Sequence, residues 1–191
     1  MPRHTSRRTR TVLATALAAA TATATATVST SAQADDSAQA DDSAQPSAGS
    51  RVFGSGGGEL DFPGYAGDPV TFTIRGRTTE EGNPLSVRGT FDVTHTRPDG
   101  SPYAEFSGSL DCMWAAGDVA VATGVIDEFD LPGLPGVDLG GRRVGFTIDD
   151  GGRHDRIGWS WAVAGFEKDV PMCTSTAPFF EIEHGMFDVR D

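Results

Sequence analysis

From Arg51 onward, apolar side chains recur at every second position and almost nowhere at helical spacing. In "PVTFTIRGRT", Val70, Phe72 and Ile74 share one face, with Thr71, Thr73 and Arg75 on the other. "SVRGTFDVTHT" sets Val87, Phe91 and Val93 against Arg88, Thr90, Asp92 and Thr94, and Asp99-Gly100 then marks a hairpin turn. The alternation of "YAEFSGSLDCMW" predicts an inward row of Ala104, Phe106, Leu110, Cys112 and Trp114. "AAGD" turns the chain into "VAVATGVID", whose small and β-branched residues suit a strand buried on both faces. Beyond a Pro/Gly-rich loop, Val144, Phe146 and Ile148 alternate, and Ile157, Trp159, Trp161 and Val163 share a face of the next strand. The last segment, "FFEIEHGMFDVRD", predicts a bend at Gly185 and an inward pair, Phe187 and Val189.

About eight strands separated by Gly-rich turns define an all-β single domain over residues 51–191. Short hairpin connections make it mainly antiparallel, as a sandwich or a small barrel. "GSGGGEL" reads as a flexible lead-in to the first strand. It is not a dinucleotide fingerprint, because no helical pattern follows it.

The residues ahead of this domain have a different character. Arg3, Arg7, Arg8 and Arg10 precede an uncharged Ala/Thr stretch, and Ala32-Gln33-Ala34 follows as a small-x-small cleavage pattern. Residues 1–34 therefore read as a signal peptide, by the general secretory route or, through its twin arginines, the folded-protein route. Cleavage is expected after Ala34, with Ala40 as the alternative site. "SAQADD" at Ser31 to Asp36 is repeated at Ser37 to Asp42. Residues 35–50 hold too little apolar surface to order themselves, and are expected to form a disordered low-complexity tether.

Removing residues 1–34 takes away four arginines and no acids, which moves the formal net charge from −12 to −16. Such a surface disfavours nucleic acid and anionic lipid. Cys112 and Cys173 are the two cysteines, and in an oxidising compartment they are expected to form a disulfide.

Candidate chemistry concentrates in "FTIDDGGRHDRIGWSW", Phe146 to Trp161. Asp149, Asp150 and Asp155 could supply oxygens to calcium, although their spacing is not that of an EF-hand. The plainer reading is a charged hairpin tip with an Asp155–Arg156 or Asp150–Arg153 surface pair. Arg156, Trp159 and Trp161 are the candidate ligand contacts, the tryptophans either packing the core or lining a cleft with Trp114. No catalytic residue stands out: His95, His154 and His184 lie in no nucleophile or metal pattern, and His95 and His184 read as ordinary strand residues.

"RGTFDVTH", "FSGSLDCMWAAGDVAVATGVI", "VGFTIDDGGRHDRIGWSW" and "GMFDV" together resemble small exported β-domain proteins of high-GC Gram-positive bacteria, some of which carry the label repetin. The resemblance runs from Val87 to Val189. It implies fold and secretion and transfers no catalytic residue or cofactor. One departure is Arg153-His154, where the family's turn often has a proline. The expected function is a secreted, non-enzymatic domain of unknown ligand, with an extracellular small molecule or glycan as the candidate partner class. A small hydrolase using carboxylates in a cleft and a calcium-stabilised adhesive module are the alternatives.

Overall fold

The computed structural model describes residues 49–151 and 154–191. The segments expected to form a signal peptide and a tether, up to residue 48, and Gly152 and Arg153 lie outside the described residues. Nine strands are found among them: β1 (Arg51–Glu59), β2 (Pro69–Thr78), β3 (Val87–Thr96), β4 (Pro102–Ala116), β5 (Val119–Asp130), β6 (Arg143–Asp149), β7 (Arg156–Trp159), β8 (Phe180–Glu181) and β9 (His184–Arg190). They form one antiparallel sheet, in the order β8-β7-β6-β5-β4-β3-β2-β1-β9, curled into a half-barrel. The expected all-β domain is observed, as a curled sheet and not a sandwich. Among the described residues, no helix is long and apolar enough to cross a membrane.

The inward faces are those the alternation predicts for β2, β3 and β6. Phe72, Ile74, Phe91, Phe146 and Ile148 are all within 1 % of complete burial. Each such side chain contributes about 1.5–3 kcal/mol of transfer free energy, so this row anchors the sheet. Three expectations need correction.

The Gly-rich segment is not a lead-in but β1 itself, paired along its length with β2 on one side and β9 on the other. Gly54 and Gly57 lie where neighbouring backbones come too close for a side chain. A Cβ at Gly57 would run into the Val70 carbonyl oxygen. Low strand propensity is overridden by that fit.

The second correction lies on β4, where the register against β5 shifts between Leu110 and Cys112, leaving Asp111 as an extra residue. This bulge reverses the alternation beyond it. Met113, not Cys112 or Trp114, joins the inner core, and Trp114 is 40 % exposed. Cys112 turns to the outer face opposite Thr123, and there it is disulfide-bonded to Cys173, Cα to Cα 5.3 Å. The Asp111 carboxylate accepts from Thr123 Oγ1 at 2.6 Å and from Arg143 Nε at 2.6 Å, and the Cys173 amide donates to Thr123 Oγ1.

The disulfide holds the segment between Phe166 and Phe179 against the outer face of β5 and β6. Gly145 of β6 permits this approach, since a Cβ there would run into the Thr174 carbonyl oxygen. Ala120 to Gly124 are buried, as their composition predicts, and the segment reaches them at Thr123, where the Cys173 amide donates to the hydroxyl.

Third, β7 ends at Trp159. Ser160 accepts from the Gly145 amide through its hydroxyl, and Trp161–Ala164 form a single helical turn, α1. Val163 is therefore exposed instead of sharing a face with Trp159. Trp161 folds back to stack on Phe166, with ring centroids 5.6 Å apart, and to meet Phe106 edge-on. Aromatic packing has won over local strand propensity.

The two edges of the sheet meet in the C-terminal segment. Phe180 and Glu181 pair with β7, and from His184 the same segment pairs with β1. Between them, Ile182 donates its amide to the Asp155 carbonyl and Glu183 donates to the Gly57 carbonyl.

Candidate functional site

One end of the half-barrel is not filled. A cavity of about 370 Å³ lies among Phe62, Phe72, Phe106, Trp159, Trp161 and Phe166, with Tyr65, His95 and Tyr103 as the polar part of its lining. That volume lies within the range of small-molecule sites. The aromatic wall is continuous: Phe72 and Trp159 are 4.7 Å apart between ring centroids, and Trp159 and Trp161 6.1 Å.

Three separate elements build the polar end. The β1–β2 loop is a compact turn in which Leu60 donates to the Asp68 carbonyl, Asp68 to the Tyr65 carbonyl, and Gly67 to the Leu60 carbonyl. These bonds place Tyr65 over the cavity and bury the Asp68 side chain to 3 % exposure. His95 continues the inward row of β3, opposite Val70 and Ala104. The β3–β4 register shifts just beyond it, leaving Tyr103 as the extra residue opposite the His95–Thr96 step. The bulge re-aims the Tyr103 ring inward, to 4.5 Å from the His95 ring.

The buried Asp68 carboxylate would be costly if unpaired. Its Oδ2 accepts from His95 Nε2 at 2.8 Å and from Arg97 Nη1 at 2.9 Å. Committing Nε2 to the carboxylate leaves Nδ1 as the ring nitrogen open to a further hydrogen bond. The Arg97 guanidinium, 39 % exposed, lies over the Tyr103 ring at 4.1 Å and closes the cluster on the solvent side. The hydroxyls of Tyr65 and Tyr103 are 3.2 Å apart.

Burial, reinforced by the hydrogen bond with Tyr65, pushes the Tyr103 hydroxyl up to about 12. It therefore remains a proton donor throughout the neutral range. A raised value means that the folded state holds this proton more tightly than the unfolded chain. The associated stability is complete below the ordinary tyrosine value near 10 and is lost as pH rises from there to about 12. Tyr65 and Tyr103 are the two tyrosines of the chain, so phenolate absorbance reports on this cluster alone. Tyr65→Phe is expected to leave one phenolate transition, lowered from about 12 but still above 10 because burial persists. A transition at 10 in that variant would remove burial as the cause.

The residues singled out by sequence divide between this site and a structural seam. Trp159 and Trp161 line the cavity, and Trp159 also belongs to the buried core. Trp114 does neither. Asp155 is buried, and its Oδ2 accepts from the Phe187 amide at 2.7 Å. Asp150 Oδ2 accepts from the Val189 amide at 3.1 Å. These two amides lie on the edge of β9 turned away from β1, so the carboxylates occupy donors that would otherwise lack a strand partner. Asp155 is thus not part of a surface pair with Arg156, whose Nη2 reaches only the Phe179 carbonyl, at 3.4 Å. Asp149 pairs with Arg156 through the β6–β7 backbone register. His154, expected in the turn between the two strands, is exposed and lies 3.0 Å from Glu181, Nδ1 to Oε1. Among the described residues, no group of three or more His, Cys, Asp or Glu is arranged to hold a metal ion.

The Asp68–His95–Tyr103 cluster was missed because its members are far apart in sequence and each is unremarkable alone. One signal was present. His95 continues the Phe91, Val93 register, so a titratable ring was already placed on the inward face. No protein-family model, curated protein or solved structure matches the chain.

Proposed function

We propose that this is a secreted, non-enzymatic β-domain that binds one small apolar molecule inside its half-barrel, and that it belongs with the small exported proteins it resembles. The observation that carries the reading is the cavity of about 370 Å³, walled by aromatic rings and polar at one end only. No Asp or Glu side chain is part of this cavity's lining, which favours binding there over hydrolysis by a carboxylate pair. A glycan would present many hydroxyls to a wall with few partners for them, so an apolar molecule is the better match. Asp150 and Asp155 are engaged with backbone amides, which favours a stitching role over a calcium-stabilised adhesive module. Secretion is supported by the N-terminal leader pattern and by the disulfide.

The test is titration of the purified full-length protein with N-phenyl-1-naphthylamine, a neutral dye whose emission rises in apolar surroundings. Saturable one-to-one binding in the micromolar range is expected. Ala104→Phe, which adds a ring inside the cavity, should weaken binding at least roughly ten-fold while leaving the far-ultraviolet spectrum unchanged. Absence of saturable binding to the folded wild-type protein would refute the proposal.

A further inference from the structure

We infer that the molecule held in the cavity carries one uncharged oxygen group, a hydroxyl or a carbonyl, on an otherwise apolar ring system, and that Tyr65 and Tyr103 recognise that oxygen. This rests on the apolar-cavity reading above and narrows it to a chemical class.

The first argument is a count of donors. The two tyrosine hydroxyls are 3.2 Å apart, so one hydrogen is shared between them and the other remains for a further acceptor. Among the described residues, neither hydroxyl has a second hydrogen-bond partner. His95 Nε2 is occupied by Asp68, which leaves Nδ1 as the ring nitrogen beside the tyrosines, and the tyrosine oxygens keep lone pairs that can accept. The polar end therefore offers one donor together with acceptor atoms. A ligand hydroxyl matches both, and a carbonyl matches the donor. A plain hydrocarbon would bury the free hydrogen without a partner.

Charge supplies the second argument. The cluster's carboxylate and guanidinium, Asp68 and Arg97, bond to each other, and neither is part of the cavity lining. A charged ligand would exchange its hydration for aromatic walls with no countercharge among them. The site is thus suited to a neutral group. Its donor is also held in place, because the Tyr103 ring packs against both the His95 ring and the Arg97 guanidinium.

Four naphthalenes that differ only at the 2-position test the inference by calorimetric titration of the full-length protein. They are 2-methylnaphthalene, 2-naphthol, 2-acetylnaphthalene and 2-naphthoate. The naphthol and the ketone are expected to bind roughly ten-fold tighter than the methyl compound, the size of one net hydrogen bond. The naphthoate should bind weakest. In Tyr65→Phe/Tyr103→Phe the preference should vanish while affinity for 2-methylnaphthalene is retained. If that variant does not fold, Tyr65→Phe alone should show a reduced preference. Equal binding of the three neutral probes to the wild type would overturn the oxygen reading and leave the apolar cavity standing. Tightest binding of 2-naphthoate would overturn it in favour of an anion site. Binding of none of the four to folded protein would overturn both readings.

Discussion

Replacing both cysteines, as Cys112→Ser/Cys173→Ser, is expected to lower the melting temperature by roughly 10–20 °C. The bond spans 61 residues of sequence. Closing a loop of that length restricts the unfolded chain by about 4 kcal/mol, and each kcal/mol corresponds to several degrees for a domain of this size. The effect should also be visible locally. Cys173 is the covalent hold on the outer segment, and its amide bond to Thr123 depends on the same placement. In the double serine variant, amide exchange between Phe166 and Phe179 should accelerate more than in β2 or β3. Thermal melting followed by circular dichroism measures the first effect and exchange mass spectrometry the second. A shift below about 3 °C would mean that the segment's backbone bonds, such as Val170 to the Arg143 carbonyl, hold it without the disulfide.

Asp155→Ala is the second large effect, with an expected loss of about 2–3 kcal/mol in unfolding free energy. The carboxylate is buried, and the Phe187 amide it binds faces away from β1. Truncation removes a charge-assisted bond and leaves that amide without a partner, so both penalties fall at one place. Asp155→Asn keeps an acceptor oxygen and should lose less than half as much. Urea denaturation compares the two variants, and exchange at the Phe187 amide identifies the site. Equal stability of wild type and Asp155→Ala would show that the seam does not depend on this bond.

Much of the architecture was legible because buried sheets enforce a period of two. Val70, Phe72 and Ile74, or Val144, Phe146 and Ile148, leave little choice of inward face. The pairing of the two cysteines was legible for a different reason, their number and the oxidising compartment expected from the N-terminal pattern. What escaped has one physical cause, that long-range packing overrides local pattern. The Asp111 bulge exists because Thr123 and Arg143 satisfy its carboxylate, and neither is near it in sequence. The glycines of β1 look like a linker until β2 and β9 are placed on either side of them. Trp161 leaves the strand pattern because Phe106, Phe146 and Phe166 receive its ring. In the site itself, Trp159 and Trp161 were visible as candidates, whereas Tyr65, Asp68 and Tyr103 acquire meaning only once a loop and a bulge converge on His95. The charged hairpin tip was visible too, yet its carboxylates bind a strand edge that sequence alone does not bring near.

The joining of both sheet edges by one C-terminal segment has a consequence for the timing of folding. Arg51 and Asp188, bonded across the β1–β9 pair, are 137 residues apart. Until β9 has been synthesised, β1 has one open edge and the carboxylates of Asp150 and Asp155 have no amides to receive. Strands β2 to β6 can zip together as successive hairpins, but the closing step must wait for the last strand and bear the largest loop entropy. A nascent chain is therefore an open meander with an adhesive edge. It becomes a sealed domain only after nearly all of it has emerged, so a chaperone or a narrow conduit would meet it while it can still be threaded.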